Sequence, residues 1–204
     1  MKAKRQFSSF DANEALKMLQ VEELVPWEIE FRPFEPSPFF SERLRRLENF
    51  DRTVSARAKE MLIDALCEEV IEKHQRLKIW KAAPLKSEDL TGTVDYLIAA
   101  KRAYLAGPLL CVVEAKRDDF EKGLAQCLVE MKACRWNNTQ AGKQIEVFGI
   151  VTNGEGWKFY KLTIDGQVFE TLLYSIANRD SVLGILDYVF ARCEENLDSP
   201  TNRA

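Results

Sequence analysis

An α/β fold, with a mixed central sheet flanked by helices, is predicted from three observations. Residues 55–76 repeat apolar positions (Ala58, Leu62, Leu66, Val70) at the spacing of one helix face. Three strand-like runs follow in succession. A second helical stretch, 118–135, then separates the third run from further strands, as a crossover connection requires.

The strands are read in order. Leu77 to Trp80 starts the first, and Thr93-Val94-Asp95-Tyr96-Leu97-Ile98-Ala99-Ala100 is the second. Leu109 to Lys116 is apolar enough to be a central third strand. Lys101 to Gly107 is a turn region between them. Asp118 and Asp119 suit the first turn of the crossover helix, where the helix dipole favours negative charge. Glu146 to Thr152 is a strand, and Asn153-Gly154 a strong turn signal. Trp157 to Leu162 and Val168 to Leu173 are joined by the Asp165-Gly166 turn, and 179–196 is a closing helix. Upstream, Asp11 caps a short helix, and another begins at Ser41. Between them Pro26, Pro33, Pro36 and Pro38 break regular structure. Phe31, Phe34, Phe39 and Phe40 lie among those prolines, so this stretch is expected to pack across the core. The domain reading is therefore a packed N-terminal extension over 1–54, one αβ domain over 55–196, and a disordered tail over 197–204.

Composition narrows the function classes. The chain has 204 residues, 46% hydrophobic and 30% charged, as expected for one globular domain. Its longest plain apolar run, Leu109 to Val113, is too short to span a bilayer. The N-terminal segment lacks an apolar core, so no secretory signal is expected. Five cysteines without a C-x-x-C pair point to buried reduced thiols and a cytoplasmic location. A net charge of −3 does not fit a protein that coats nucleic acid, so any basic surface must be local. There is no P-loop and no G-x-S-x-G. The single histidine, His74, is read as a cation favoured by the dipole at a helix C-terminus.

The chemistry gathers at Glu114-Ala115-Lys116. Side chains alternate along a strand, so Glu114 and Lys116 share a face and Ala115 points into the core. Antiparallel pairing can bring Asp95, on the preceding strand, beside Glu114. Two carboxylates about 4 Å apart repel by roughly 4 kcal/mol at an effective dielectric of about 20. A divalent cation relieves that cost, and hard oxygen ligands favour Mg2+ or Mn2+. Lys116 could then orient water or stabilise charge on a phosphate. A solvated ion pair between Glu114 and Lys116 is the plainer reading of the same residues. Glu130-Met131-Lys132 repeats the tripeptide, but within a helix, where i and i+2 do not face each other. Lys101, Arg102, Lys116, Arg117 and Lys122 are grouped in sequence near the site, as phosphate contacts or as a solvated turn. Trp136, Asn137 and Asn138 could form a lip beside it.

Thr93-Val94-Asp95-Tyr96-Leu97, followed by Leu109-Leu110-Cys111-Val112-Val113-Glu114-Ala115-Lys116-Arg117, resembles the PD-(D/E)XK nuclease signature. Over 55–175 the chain is most similar to the N-terminal nuclease domain of type I restriction enzyme motor subunits. The strand-turn-strand from Val151 to Tyr160 is similar too. The resemblance implies a restriction-endonuclease-like αβββαβ core with an N-terminal extension and extra C-terminal strands and helix. It implies that Asp95 and Glu114 bind the metal and that Lys116 is the catalytic lysine. It also implies an acid on the long helix, for which Glu69 lies nearer the inward face than Glu68. Gln126 stands where related nucleases carry a glutamine and is an accessory candidate. Val94 replaces the proline of the signature, and Glu130 stands where a tyrosine is expected.

The function expected is metal-dependent hydrolysis of phosphodiester bonds in nucleic acid, DNA in the first instance, without a membrane partner. A homodimer or partner subunit would supply basic surface that the chain's own charge does not. The alternative is a catalytically inactive binding or assembly module on the same fold.

Overall fold

The computed structural model of the chain describes residues 3–50, 56–116 and 119–200. The expectations placed on Ser55, Arg117, Asp118 and 201–204 lie outside these residues.

Local chemistry explains the N-terminal elements. Strand β1 (Arg5–Gln6) is followed by helix α1 (Ala12–Leu19), whose Asp11 and Glu14 form a reciprocal capping box. Strand β2 (Leu24–Pro26) precedes helix α2 (Pro38–Leu47), which starts three residues before Ser41. The Ser37 hydroxyl accepts the Phe40 N–H, and Pro38 needs no donor in the first turn, so the proline here opens a helix.

Helix α3 (Ala56–Ile71) leads into strands β3 (Leu77–Lys86), β4 (Leu90–Ala100) and β5 (Leu109–Ala115). Helix α4 (Phe120–Gln140) crosses over to β6 (Val147–Thr152), and β5 and β6 are parallel. Strands β7 (Gly156–Leu162), β8 (Val168–Glu170) and β9 (Tyr174–Ser175) then precede helix α5 (Arg179–Leu197). Turn β6–β7 uses Gly154 at φ +86°, with Asn153 Oδ1 accepting the Glu155 and Gly156 N–H groups. Among the described residues this is a mixed α/β fold, a nine-stranded mixed sheet flanked by five helices.

The sheet divides two apolar cores. One lies under α3 and α5 and includes Leu66, Val70, Phe148, Phe159, Leu186 and Phe190. The other lies under α4 and α1 and includes Leu19, Val112, Leu128, Met131 and Leu162. Gly149 on β6 lets α4 approach, because a Cβ there would stand 2.4 Å from Met131 Sδ and 2.5 Å from Cys127 Sγ.

The N-terminal segment is more than a cover. β1 pairs in parallel with β4, and β2 with β8, so it adds strands to the sheet itself. Ile29, Phe34 and Phe40 are buried, while Phe39 stays exposed. His74 lies beyond the end of α3, with Nε2 3.0 Å from Asp187 Oδ1 and Nδ1 3.5 Å from Glu194 Oε2. It ties the end of α3 to α5. Among the described residues, no helix is long and apolar enough to cross a membrane.

Strands β3 and β4 share one irregularity. Lys81 pairs with Tyr96 and Ala83 with Val94, so Ala82 stands opposite Asp95. Ala82 has a φ of 48°, in the left-handed region. Leu77, Ile79, Tyr96 and Ile98 pack on the α3/α5 side. Ala83, Leu85, Leu90 and Val94 have the same spacing but pack into the α4 core. The hairpin therefore changes sides at the Ala82–Asp95 position.

Candidate metal centre

The antiparallel register pairs Tyr96 with Val113, and one step further places Asp95 opposite Glu114. The ladder between β4 and β5 does not continue through this step in the regular way. Asp95 Oδ2 instead accepts the Ala115 N–H at 2.9 Å, so a side-chain carboxylate takes over from the backbone. This holds Asp95 beside Glu114 at the C-terminal end of β5.

Glu114 is completely buried, while the Lys116 side chain keeps 23% of its surface. The Lys116 ammonium is in ion-pair contact with Glu114 Oε1. It also donates to Gln126 Oε1 at 3.1 Å. Gln126 Nε2 donates to Glu114 Oε2 at 3.0 Å and to Glu130 Oε1 at 2.9 Å. Both Gln126 and Glu130 lie on α4, one turn apart, facing the sheet. The approach of α4 depends on Gly123, whose added Cβ would meet Val151 Cγ1 at 2.5 Å and Lys116 Cγ at 3.1 Å.

Burial pushes the Glu114 carboxyl up to about 7, and the neighbouring Asp95 charge adds to the effect, while Lys116 opposes it. Glu130 is fully buried and its carboxyl is pushed well above the ordinary range, by burial first and then by Glu114. Its Oε2 has no hydrogen-bond partner.

The donor set suits a small hard cation. Mg2+ is commonly held by one or two carboxylates and otherwise keeps its waters. Asp95 and Glu114 supply two carboxylates whose mutual repulsion a cation would relieve, as the Lys116 ammonium against Glu114 Oε1 does in part. Among the described residues no group of three or more histidine, cysteine, aspartate or glutamate side chains is placed to cage a metal.

The structure brings together Asp95, Glu114, Lys116 and Gln126, and adds Glu130. Glu69 takes another place. Its carboxylate accepts the Ser37 N–H at 2.6 Å and the Ser37 hydroxyl at 2.8 Å, at the start of α2. Glu68 pairs with Arg43. The α3 acids that approach the β3–β4 hairpin are Glu60 and Asp64, which pair with Lys81 on β3, and Asp64 also accepts the Tyr96 hydroxyl on β4 at 2.9 Å. Helical spacing could not reveal this, because Glu69 follows Leu62 and Leu66 on the inward face but meets α2 there.

Two other expectations are corrected. Lys101 and Arg102 follow the far end of β4, and five residues of β5, roughly 17 Å of strand, separate that end from Glu114. Asn138 is also at that end. Its Oδ1 accepts the Leu109 N–H and its Nδ2 donates to the Leu109 carbonyl, both at 2.7 Å, so it anchors the start of β5 and forms no lip. Glu130 also joins the site, although Glu130 and Lys132 diverge on the helix. The signal that finds it is Gln126 at i−4, on the same helix face.

No protein-family model matches the chain. A stretch of 62 residues, 28% of this chain, is 37% identical to part of Crinkler effector protein 1 of Rhizophagus irregularis. The match spans 13% of that protein's length.

Proposed function

We propose that this chain is a divalent-metal-dependent nuclease of the PD-(D/E)XK, restriction-endonuclease-like type, hydrolysing phosphodiester bonds in DNA. The reading is supported by the order α3-β3-β4-β5-α4-β6, which is that of an αβββαβ core. The observation that carries it is the placement of Asp95 opposite a buried Glu114, with Lys116 against Glu114.

Asp95 and Glu114 would hold Mg2+ or Mn2+, which when bound polarises a phosphate and lowers the pKa of water. Asp95 is oriented by the Ala115 amide, so it meets the cation without rearranging. Lys116 is aimed by Gln126 and Glu114, and its exposed portion can donate to an attacking water or to a phosphate oxygen. Gln126 keeps that ammonium at the mouth of the site. The five cysteines are free and buried, which suits the cytoplasm, and the acidic balance favours a second copy or a partner to supply basic surface for DNA.

A second reading, a nuclease-fold binding or assembly module without catalysis, is favoured by one observation. Glu69 is engaged by Ser37, so it brings no third acid to the pair. Purified protein incubated with plasmid DNA, single-stranded DNA and RNA separates the two. The nuclease reading expects DNA cleavage with Mg2+ or Mn2+ that EDTA stops. Intact nucleic acid under every condition leaves the module reading.

A further inference from the structure

We propose that Glu130 is a positioning residue, which holds the Gln126 amide so that its oxygen faces the Lys116 ammonium. The inference deepens the nuclease reading and rests on it for the catalytic consequence alone.

An amide has two faces of opposite hydrogen-bond character and can be seated either way round. In the buried space under α4, the Gln126 nitrogen has two hydrogens and meets two acceptors, Glu114 Oε2 at 3.0 Å and Glu130 Oε1 at 2.9 Å. Seated the other way, the amide would turn its oxygen toward two carboxyl groups and its nitrogen toward an ammonium. That arrangement loses three hydrogen bonds at once. With the nitrogen held, the oxygen has a single direction, and Lys116 Nζ stands there at 3.1 Å. Glu114 alone leaves the amide one hydrogen short of satisfaction.

Glu130 is an unusual choice for an apolar core. It is completely buried near Cys127 and Cys134, and among the described residues its second oxygen has no partner. A carboxyl side chain at such a place is costly unless it is neutral and bonded. Its Oε1 is bonded, accepting from the Gln126 amide, and burial pushes the carboxyl well above its ordinary range. It touches neither the proposed cation nor the substrate and acts through Gln126.

The test uses the full chain with 15N-labelled glutamine, the Gln126 side-chain NH2 signals being assigned by their loss in Gln126→Met. Glu130→Leu removes the acceptor, and Glu130→Gln restores an oxygen acceptor without charge. In Glu130→Leu, the Gln126 NH2 hydrogens are expected to exchange on the order of tenfold faster, the worth of one net hydrogen bond. DNA cleavage should lose a similar factor in kcat, with KM for DNA unchanged. Glu130→Gln should restore both. Should Glu130→Leu fail to fold, Glu130→Met makes the same comparison with a more adaptable side chain. Unchanged Gln126 exchange in the folded Leu or Met variant overturns the proposal. So does a loss as large in Glu130→Gln as in Glu130→Leu. A wild type that cleaves nothing sinks the nuclease reading, while NH2 exchange still decides the role of Glu130.

Discussion

Asp95 stands across from Ala82, and at this pair β3 and β4 change the core into which they pack. A left-handed residue costs about 1–2 kcal/mol for any side chain with a Cβ. Here it turns the hairpin while the Asp95 carboxylate reaches across to the Ala115 amide. Ala82→Gly should raise Tm slightly, by about 0.5 kcal/mol of stability once glycine's extra chain entropy is subtracted. Ala82→Val should lower stability by about 1–2 kcal/mol. Equal melting temperatures for Ala, Gly and Val at this position would contradict the left-handed assignment.

Metal should stabilise the protein, and the effect should depend on pH. The Glu114 pKa is raised from 4.5 to about 7 in the folded chain. Between those values the folded state binds more protons than the unfolded state, so stability falls as pH rises. The contribution of Glu114 is most favourable below 4.5 and is lost through 7, on the order of 3 kcal/mol. Bound Mg2+ replaces the proton and should flatten this fall. Thermal melts at pH 5 and pH 8, with and without millimolar Mg2+, should show the larger metal-induced rise at pH 8. Glu114→Gln should remove the metal rise and lessen the pH slope, the remainder coming from buried Glu130.

Lys116→Met deletes the ammonium but retains most of the stem that packs against Gly123. DNA cleavage should fall by roughly 10²–10³, the effect of losing one transition-state stabiliser. Metal binding followed by calorimetry should persist, since a protonated lysine cannot ligate a cation. Cleavage equal to wild type would remove Lys116 from the mechanism.

Asn138→Ala should destabilise without touching the site. It leaves the buried N–H and carbonyl of Leu109 without their side-chain partner, a loss of about 2–4 kcal/mol. For a chain of this size that is a Tm lower by roughly 5–15 °C. The Mg2+-induced rise should be unchanged, because Asn138 and Glu114 sit at opposite ends of β5.

The alternation of Glu114 and Lys116, and the apolar run before them, were legible because a central strand has only two faces. The helix-strand order was legible because α3 and α4 carry long periodic segments with turn residues between the strands. The beginning of α2 was not, since Pro38 reads as a breaker until Ser37 is seen as its cap. Strand β3 was read only as far as Trp80, because Ala82 and Pro84 interrupt it. Among the described residues it pairs with β4 alone, and such an edge strand tolerates them. The place of Glu69 depended on α2, a neighbour that helical periodicity does not contain. Glu130 required the pairing of two helix positions through a third group, Gln126, and only coordinates supply that.

The first strands of the chain pair with segments that follow much later, β1 with Leu90 and Thr91 and β2 with residues 168–170. A ribosome releases these strands before their partners, and neither has an edge to join until its partner emerges. The N-terminal residues must therefore wait, unpaired, while the central strands assemble. β2 can dock only after β8 has left the exit tunnel, so this pairing waits for the whole central sheet to be made.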